Sequence, residues 1–87
     1  MGRGDPKAQT TQALENIKTI LQANGASMDD VVKVTVFVTD MRHFEDVAEV
    51  RMRYFAQNGP ASTIVEVSKL ALPELLIEIE AVAALPH

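Results

Sequence analysis

Two glutamates in the C-terminal part of the chain have a spacing that could support acid–base chemistry. Glu78 and Glu80 alternate with isoleucine in the run Ile-Glu-Ile-Glu, a pattern typical of a β-strand with one buried face. Side chains two positions apart on a strand point to the same side and lie about 7 Å apart. Neighbouring carboxylates raise each other's proton affinity, and either could transfer a proton or position a water molecule. A solvated strand face explains the same pattern without chemistry and is the commoner case.

Other side chains that commonly carry chemistry are scattered in this sequence or missing from it. His43 and His87 have no partners at the spacing of a metal site or a catalytic triad. Both are predicted to be surface residues, and no metal site is expected. The chain contains no cysteine and no glycine-rich phosphate loop. The tripeptide Arg3-Gly4-Asp5 matches a cell-adhesion motif, but a match of this length occurs often by chance.

Composition restricts the classes of function. Eighty-seven residues form one domain with a thin core, yet 47% of them are apolar, which indicates either tight packing or burial by association. The net charge of −4 and the scattering of the eight basic residues predict no nucleic-acid partner. The apolar runs are too short to cross a membrane and no signal peptide is visible, so the predicted location is cytoplasmic.

The start of the chain is predicted to be a tail followed by a helix. Residues 1–7 are rich in glycine and charge and are predicted to form a flexible tail before a domain that spans 8–87. From Ala8 to Asn24, apolar residues recur at three- and four-residue steps, which predicts a helix. Gly25 follows at the position where helices commonly end in a left-handed residue.

A strand and a second helix are predicted next. The segment Val31–Val38 holds five valines and a phenylalanine, a composition that favours a strand. One face of this strand is expected to be core and comprises Val32, Val34, Val36 and Val38. Thr39 and Asp40 are good helix N-caps, and the apolar spacing beyond them predicts a helix that ends near Gln57.

The last third of the chain is predicted to form two strands, Ser62–Ser68 and Leu75–Ala84. The order helix, strand, helix, strand, strand indicates an α+β fold with one sheet and two helices on one face. The far face of the sheet would then carry Phe37, Ile64 and Val82 beside Glu66, Glu78 and Glu80. Such a mixed face is seldom left bare, so we expect a partner subunit to cover it.

An ordered set of short motifs runs from about Gln9 to Ala84. It comprises Gln12-Ala13-Leu14-Glu15-Asn16-Ile17, Asp29-Asp30-Val31-Val32-Lys33-Val34-Thr35-Val36, Thr39-Asp40-Met41 with Phe44, Tyr54-Phe55, Pro60-Ala61, Val65-Glu66-Val67 with Leu70, and Ile77-Glu78-Ile79-Glu80-Ala81. This set resembles the RidA/YjgF family of reactive-intermediate deaminases, formerly described as L-PSP endoribonucleases. The resemblance implies a chorismate-mutase-like α+β fold that assembles as a homotrimer, with ligand clefts between subunits.

The resemblance also implies an activity. Members of the family hydrolyse enamines or imines from amino-acid metabolism to keto acids and ammonia, and no cofactor is required. The expected ligand is therefore a small carboxylate-bearing metabolite. Glu80 matches the family's water-positioning glutamate and is the expected catalytic residue. The expected substrate-binding residues are Ser62, Thr63 and Ile64.

Several positions depart from the family's cleft pattern. The arginine that pairs with the substrate carboxylate is replaced by Ser62, the cleft cysteine by Ile64, and an asparagine early in the second helix by Ala48. The family's N-terminal hairpin has no counterpart in this sequence, so the chain is expected to be N-terminally shortened. Activity is expected to be weak or altered, and the alternative is a non-catalytic binding or interaction module on the same oligomeric scaffold. Three basic residues could supply the missing cation, namely Arg51, Arg53 and Lys69.

Overall fold

The computed structural model describes residues 4–55 and 59–84. These ranges contain two helices and three strands: α1 (Pro6–Ala23), β1 (Val31–Val38), α2 (Phe44–Tyr54), β2 (Ala61–Glu66) and β3 (Ile77–Ala83). The predicted α+β class and order of elements are confirmed. Residues 1–3 of the predicted tail, and His87, lie outside the described residues. Neither described helix has the length and hydropathy to span a membrane.

The two ends of α1 are set by local chemistry. The helix begins earlier than predicted, at Pro6, because the Asp5 carboxylate accepts two backbone N–H groups of the first turn at 3.0 and 3.1 Å. At the other end Gly25 has a φ of +74°, and Ala26 N–H donates to the carbonyl of Leu21 at 2.8 Å. This hydrogen bond belongs to a Schellman-type helix end, so the predicted left-handed glycine is confirmed.

The second helix is shorter than predicted. Asp40 caps a 3₁₀ turn, Met41–His43, and its carboxylate accepts the backbone N–H of Arg42 at 2.9 Å. The Arg42 side chain also donates to this carboxylate, and these hydrogen bonds lower the pKa of Asp40 to about 2. α2 then runs from Phe44 to Tyr54. Its predicted end near Gln57 lies outside the described residues.

β1 is the central strand of the sheet. The strand order is β2-β1-β3, in which β1 is parallel to β2 and antiparallel to β3. Both helices pack on one face, as predicted. The core between helices and sheet contains Leu14 of α1, Val47 and Val50 of α2, and most of the valines of β1.

The prediction is wrong for one core residue of β1, Val32. Val32 is 50% exposed, whereas Val31 is 5% exposed and belongs to the core. The register between β1 and β3 shifts between Val31 and Lys33. Such a bulge inserts an extra residue and exchanges the faces of the side chains on either side of it. The other three valines of the predicted face are buried as expected.

The prediction for the far face of the sheet is wrong for β2. In the parallel register, Val34, Val36 and Val38 are opposite Ser62, Ile64 and Glu66 respectively. Paired residues point to the same side of a sheet, so these three β2 side chains lie on the helix-covered face. The error arises because β2 has apolar residues at both alternating positions, so only its pairing determines which face is buried. Glu78, Glu80 and Val82 do lie on the open face, as predicted.

A side-chain hydrogen bond joins the two helices and should make the stability of the fold decrease at alkaline pH. Tyr54 Oη donates to Glu15 Oε2 at 2.6 Å, and burial together with this bond raises the pKa of Tyr54 from 10.0 to about 12. The folded protein therefore keeps this proton at pH values where the unfolded chain has lost it. The resulting stabilisation is fully present below pH 10 and should be lost as the pH rises from 10 to about 12.

Phenolate absorbance measures this titration directly, because Tyr54 is the single tyrosine and the chain has no tryptophan. In denaturant titrations at each pH, the Tyr54→Phe variant should lose less unfolding free energy across the same interval. A folded-state tyrosine that titrates at its ordinary pKa would contradict the assignment.

Candidate functional site

Strand pairing divides the four predicted site residues between two faces of the sheet. Ser62 and Ile64 lie on the side covered by the helices, whereas Thr63 and Glu80 lie on the open side. Thr35 of β1 is paired with both Thr63 and Glu80, so these three side chains form a row across the sheet. Two strand spacings, about 10 Å, separate the ends of this row. A single chain therefore does not bring Glu80 together with Ser62.

An open cleft lies between α2 and β2 on the helix side of the sheet. It has a volume of about 480 Å³ and is lined by Met41, Phe44, Ala48, Arg51, Ser62 and Ile64. This volume is within the range of small-molecule sites. Ala48, Ser62 and Ile64 are the positions that the resemblance matched to the family's cleft asparagine, arginine and cysteine. The fold brings these three positions together.

Arg51 is the charged group of the cleft. Its Nε donates to Ser62 Oγ at 3.0 Å, and its Nη2 donates to the carbonyl of Pro60 at 2.9 Å. The guanidinium carbon lies 5.6 Å from the centre of the Phe55 ring, within cation–π distance. Within residues 4–55 and 59–84 these contacts leave some guanidinium N–H donors unused, and no carboxylate forms an ion pair with Arg51. An anionic ligand could therefore form an ion pair with Arg51 and accept hydrogen bonds from its remaining N–H groups.

Arg51 differs in its surroundings from the two other basic residues that the sequence offered. Arg53 Nη2 forms an ion pair with Glu49 Oε2 at 2.9 Å on the outer side of α2. Lys69 is exposed beyond the end of β2. The sequence held one signal that favoured Arg51, which is its spacing of three residues from Ala48. Residues three apart on a helix share a face, so a cleft that includes Ala48 should also include Arg51.

The turn between β1 and α2 forms one end of the cleft. Met41 N–H donates to Glu66 Oε1 at 2.7 Å, so the carboxylate predicted to lie on the open face instead ties this turn to β2. Met41 and Phe44 are 42% and 48% exposed and give the cleft an apolar rim. His43, predicted to be a surface residue, is half-buried in the same turn. The cleft thus combines an apolar rim with one cationic wall.

Comparison with known proteins gives the chain its family. A family model described as Endoribonuclease L-PSP matches residues 1–85. The chain belongs to the RidA/YjgF family. A RutC family protein from Pyrococcus horikoshii is 53% identical over 81 residues, which cover 93% of this chain and 64% of the relative. This RidA/YjgF chain thus spans just under two thirds of the length of that curated relative.

Solved structures of similar proteins have the same fold. A member of the YjgF/YER057c/UK114 family from Mycobacterium tuberculosis is 40% identical with a TM-score of 0.88, over 91% of this chain and 67% of that one. E. coli TdcF with bound serine is 35% identical with a TM-score of 0.85, over 92% of this chain and 65% of that one. The RidA/YjgF fold predicted from the motifs is therefore confirmed.

Proposed function

We propose that the cleft between α2 and β2 binds a small carboxylate-bearing metabolite, and that an oligomer of this chain deaminates that metabolite by hydrolysis. The observation that carries the proposal is the Arg51 guanidinium, held by Ser62 and the Pro60 carbonyl in an otherwise neutral cleft. Carboxylates form strong, often bidentate hydrogen bonds with guanidinium groups. The serine bound to TdcF is a small molecule of the proposed class.

The proposed reaction is hydrolysis of an imine, or of an enamine after its conversion to the imine. Water adds to the carbon of the C=N bond while a carboxylate accepts one of its protons. The carboxylic acid returns this proton to the nitrogen of the resulting carbinolamine, and the hydroxyl proton also passes to nitrogen as the C–N bond breaks. Ammonia leaves and a keto acid remains. Glu80 is the proposed base. Substrate anchored on Arg51 would hold its C=N carbon in a fixed place relative to this base, and such positioning accelerates reactions strongly.

Glu80 can serve a ligand in the cleft only if it comes from a second copy of the chain, because Glu80 and the cleft lie on opposite sides of the sheet. We therefore propose a homotrimer in which the open sheet face of one subunit covers the cleft of its neighbour. Two features of that face support association. Val82 is 54% exposed, and Phe37 is only half-buried beside the carboxylates of Glu78 and Glu80.

Metabolite binding without catalysis is the second candidate, and one observation favours it. Apart from Arg51 and Ser62, the described residues that line the cleft are apolar. They provide no carboxylate or imidazole that could activate water. A cleft that meets no catalytic group from a neighbouring subunit would bind small anions and release them unchanged.

RNA cleavage is not proposed, although the family description names an endoribonuclease. The net charge of −4 is unfavourable for contact with a phosphate backbone. Three basic residues, Lys7, Arg42 and Arg53, already form ion pairs with carboxylates. Amino-acid metabolism in the cytoplasm is the proposed setting instead.

The proposed activity can be tested with enamines that an amino-acid oxidase generates in the presence of semicarbazide. The wild-type protein should compete with semicarbazide and increase the yield of free keto acid. Glu80→Gln should lower the rate by about a hundredfold or more. Glu78→Gln is the matched control, because it removes the neighbouring carboxylate on the same face, and it should retain most of the activity.

Three outcomes separate the candidates. A turnover number per subunit that falls in the Glu80→Gln variant, and that also falls when the wild-type protein is diluted, supports catalysis across a subunit interface. Turnover that Glu80→Gln leaves unchanged would refute the role of Glu80. Metabolite binding without any rate above background would favour the non-catalytic candidate.

A further inference from the structure

The cleft between α2 and β2 has two chemically different ends. Arg51 Nε, in the last turn of α2, donates to Ser62 Oγ at the start of β2. Met41 N–H, just before α2, donates to Glu66 Oε1 at the end of β2. The helix and the strand therefore run in opposite directions along the cleft, with Arg51 at one end and the first turn of α2 at the other.

The end of the cleft remote from Arg51 is apolar. It is lined by Met41, Phe44 and Ile64. Phe44 precedes Arg51 by seven residues, about 10 Å along a helix axis, and Ala48 lies between them on the same helix face. Met41 and Phe44 are 42% and 48% exposed, and Ile64 is half-buried. Apolar surface therefore remains there for a ligand to cover, and the small side chain of Ala48 leaves the middle of the cleft open.

This arrangement fits a ligand with a carboxylate at one end and an aliphatic chain at the other. The carboxylate accepts hydrogen bonds from the guanidinium group of Arg51. The side chain of an α-imino acid starts at the carbon next to the carboxylate, so it would run along Ala48 toward Phe44. A three-carbon acid would stop short of the apolar end, whereas a side chain of leucine's size would reach it. Each methylene group that leaves water there adds about fourfold to the affinity.

A polar ligand side chain would find few partners in the cleft. Apart from Arg51 and Ser62, the described lining residues are apolar, and Ser62 Oγ already accepts a hydrogen bond from Arg51. An amide or hydroxyl group on the ligand side chain would lose hydrogen bonds to water without replacing them. A second carboxylate would also approach Glu66, which contacts Met41 at the apolar end, and like charges repel.

We propose that the cleft selects its substrate by an aliphatic side chain. It binds the imines of amino acids such as valine, leucine and methionine in preference to those of alanine, serine, asparagine and glutamate. Arg51 binds the carboxylate, the apolar end contacts the side chain, and Ala48 determines the length that fits. This selectivity rests on the proposed function, because it requires Arg51 to bind the substrate carboxylate.

Calorimetric titration of the full chain with keto acids, the products of the proposed reaction, tests the selectivity. The keto acid of leucine should bind at least about tenfold more tightly than that of alanine, because it places three more carbons against a partly exposed apolar wall. The keto acid of asparagine has a similar shape to that of leucine, with an amide in place of the isopropyl group, and it should bind at least about tenfold more weakly. In the semicarbazide assay, kcat/KM for the imine of leucine should exceed that for the imine of alanine by a similar factor.

Two positions on α2 allow variants that change selectivity. Phe44→Ala should reduce the ratio of leucine to alanine keto-acid affinities to about threefold or less, with little change for the shorter ligand. Met52→Ala is the matched control, because Met52 is 74% exposed and does not line the cleft, and it should leave the ratio unchanged. Ala48→Leu fills the middle of the cleft and should weaken the keto acid of leucine at least about tenfold, while that of alanine still binds.

Failure of this selectivity can be distinguished from failure of the proposed function. No binding of any keto acid, or equal binding by the wild type and Arg51→Gln, would overturn both. Binding that requires Arg51 but does not increase from alanine to leucine, or that is equal for leucine and asparagine, would overturn the selectivity alone. An equal loss for short and long keto acids in folded Phe44→Ala would also overturn it, because the apolar end would then hold a neighbouring subunit and not the ligand. The keto-acid series uses the unmodified protein, so it remains decisive even if a variant fails to fold.

Discussion

Replacement of Arg51 by glutamine should weaken the binding of serine and of small keto acids by about thirtyfold to a thousandfold. The physical reason is the loss of the cation in the wall of the cleft, where Arg51 is held by Ser62 and the Pro60 carbonyl. In the proposed trimer a neighbouring subunit covers the cleft, and removal of one partner from a covered, hydrogen-bonded charge pair costs about 2 to 4 kcal/mol. Isothermal titration calorimetry on the wild type and the variant measures the change.

Arg53→Gln is the matched control, because it removes an arginine from the outer side of the same helix, where Arg53 pairs with Glu49. This control should leave affinity unchanged. A second variant, Arg51→Gln combined with Ser62→Arg, moves the cation to the strand position where the family pattern has it and should restore part of the binding. Equal loss of affinity in Arg51→Gln and Arg53→Gln would show that net charge, not the cleft, attracts the ligand.

Truncation of Leu14 to alanine should lower the free energy of unfolding by about 2 to 5 kcal/mol. Leu14 is 1% exposed and, with Thr10, is one of the two buried residues of α1. It packs against the valines of β1 and α2 in the core cluster. Small domains have a total stability of about 5 to 15 kcal/mol, so one truncation should remove a large fraction of it. Urea unfolding at a fixed protein concentration measures the loss.

Leu72→Ala is the control for this truncation. Leu72 is 53% exposed in the segment before β3, so the same chemical change leaves little cavity there, and the loss should stay below about 1 kcal/mol. Similar losses for Leu14→Ala and Leu72→Ala would contradict the packing of α1 described above.

The order of elements could be predicted because each one has a strong local signal. α1 has apolar residues at helical spacing over several turns and a glycine, Gly25, at the point where the helix ends. β1 is rich in valine, and β3 alternates isoleucine with glutamate. These signals depend on residues close in sequence, which is why the fold class followed from them. Helix boundaries moved by a few residues because they depend on the local hydrogen bonds of caps such as Asp5 and Asp40.

The faces of two strands could not be predicted from local pattern. Val31 and Val32 are adjacent and chemically identical, so composition cannot show that a bulge buries the first and exposes the second. In β2, Ile64 and Val65 are also adjacent and apolar. The choice between them depends on the register with β1, which is a contact between distant segments.

The face on which each β2 side chain lies also decides which residues form the candidate site. The sequence placed Ser62, Ile64 and Glu80 on one face, whereas the pairing puts Ser62 and Ile64 in a cleft beneath α2 and Glu80 on the opposite side of the sheet. The hydrogen bond that Ser62 accepts could not be predicted from local sequence either, because it requires the packing of α2 on β2. The pairing of Arg51 with Ser62 emerges only when the helix and the strand are placed together.

An amide NMR titration of the isotope-labelled wild-type chain with serine tests directly whether the cleft between α2 and β2 binds a carboxylate. Shifts should concentrate at Ala48, Arg51, Ser62 and Ile64, and Arg51→Gln should remove them while Arg53→Gln should not. Shifts centred on another surface, or wild-type shifts that persist in Arg51→Gln, would contradict the assignment of the cleft as a carboxylate-binding site.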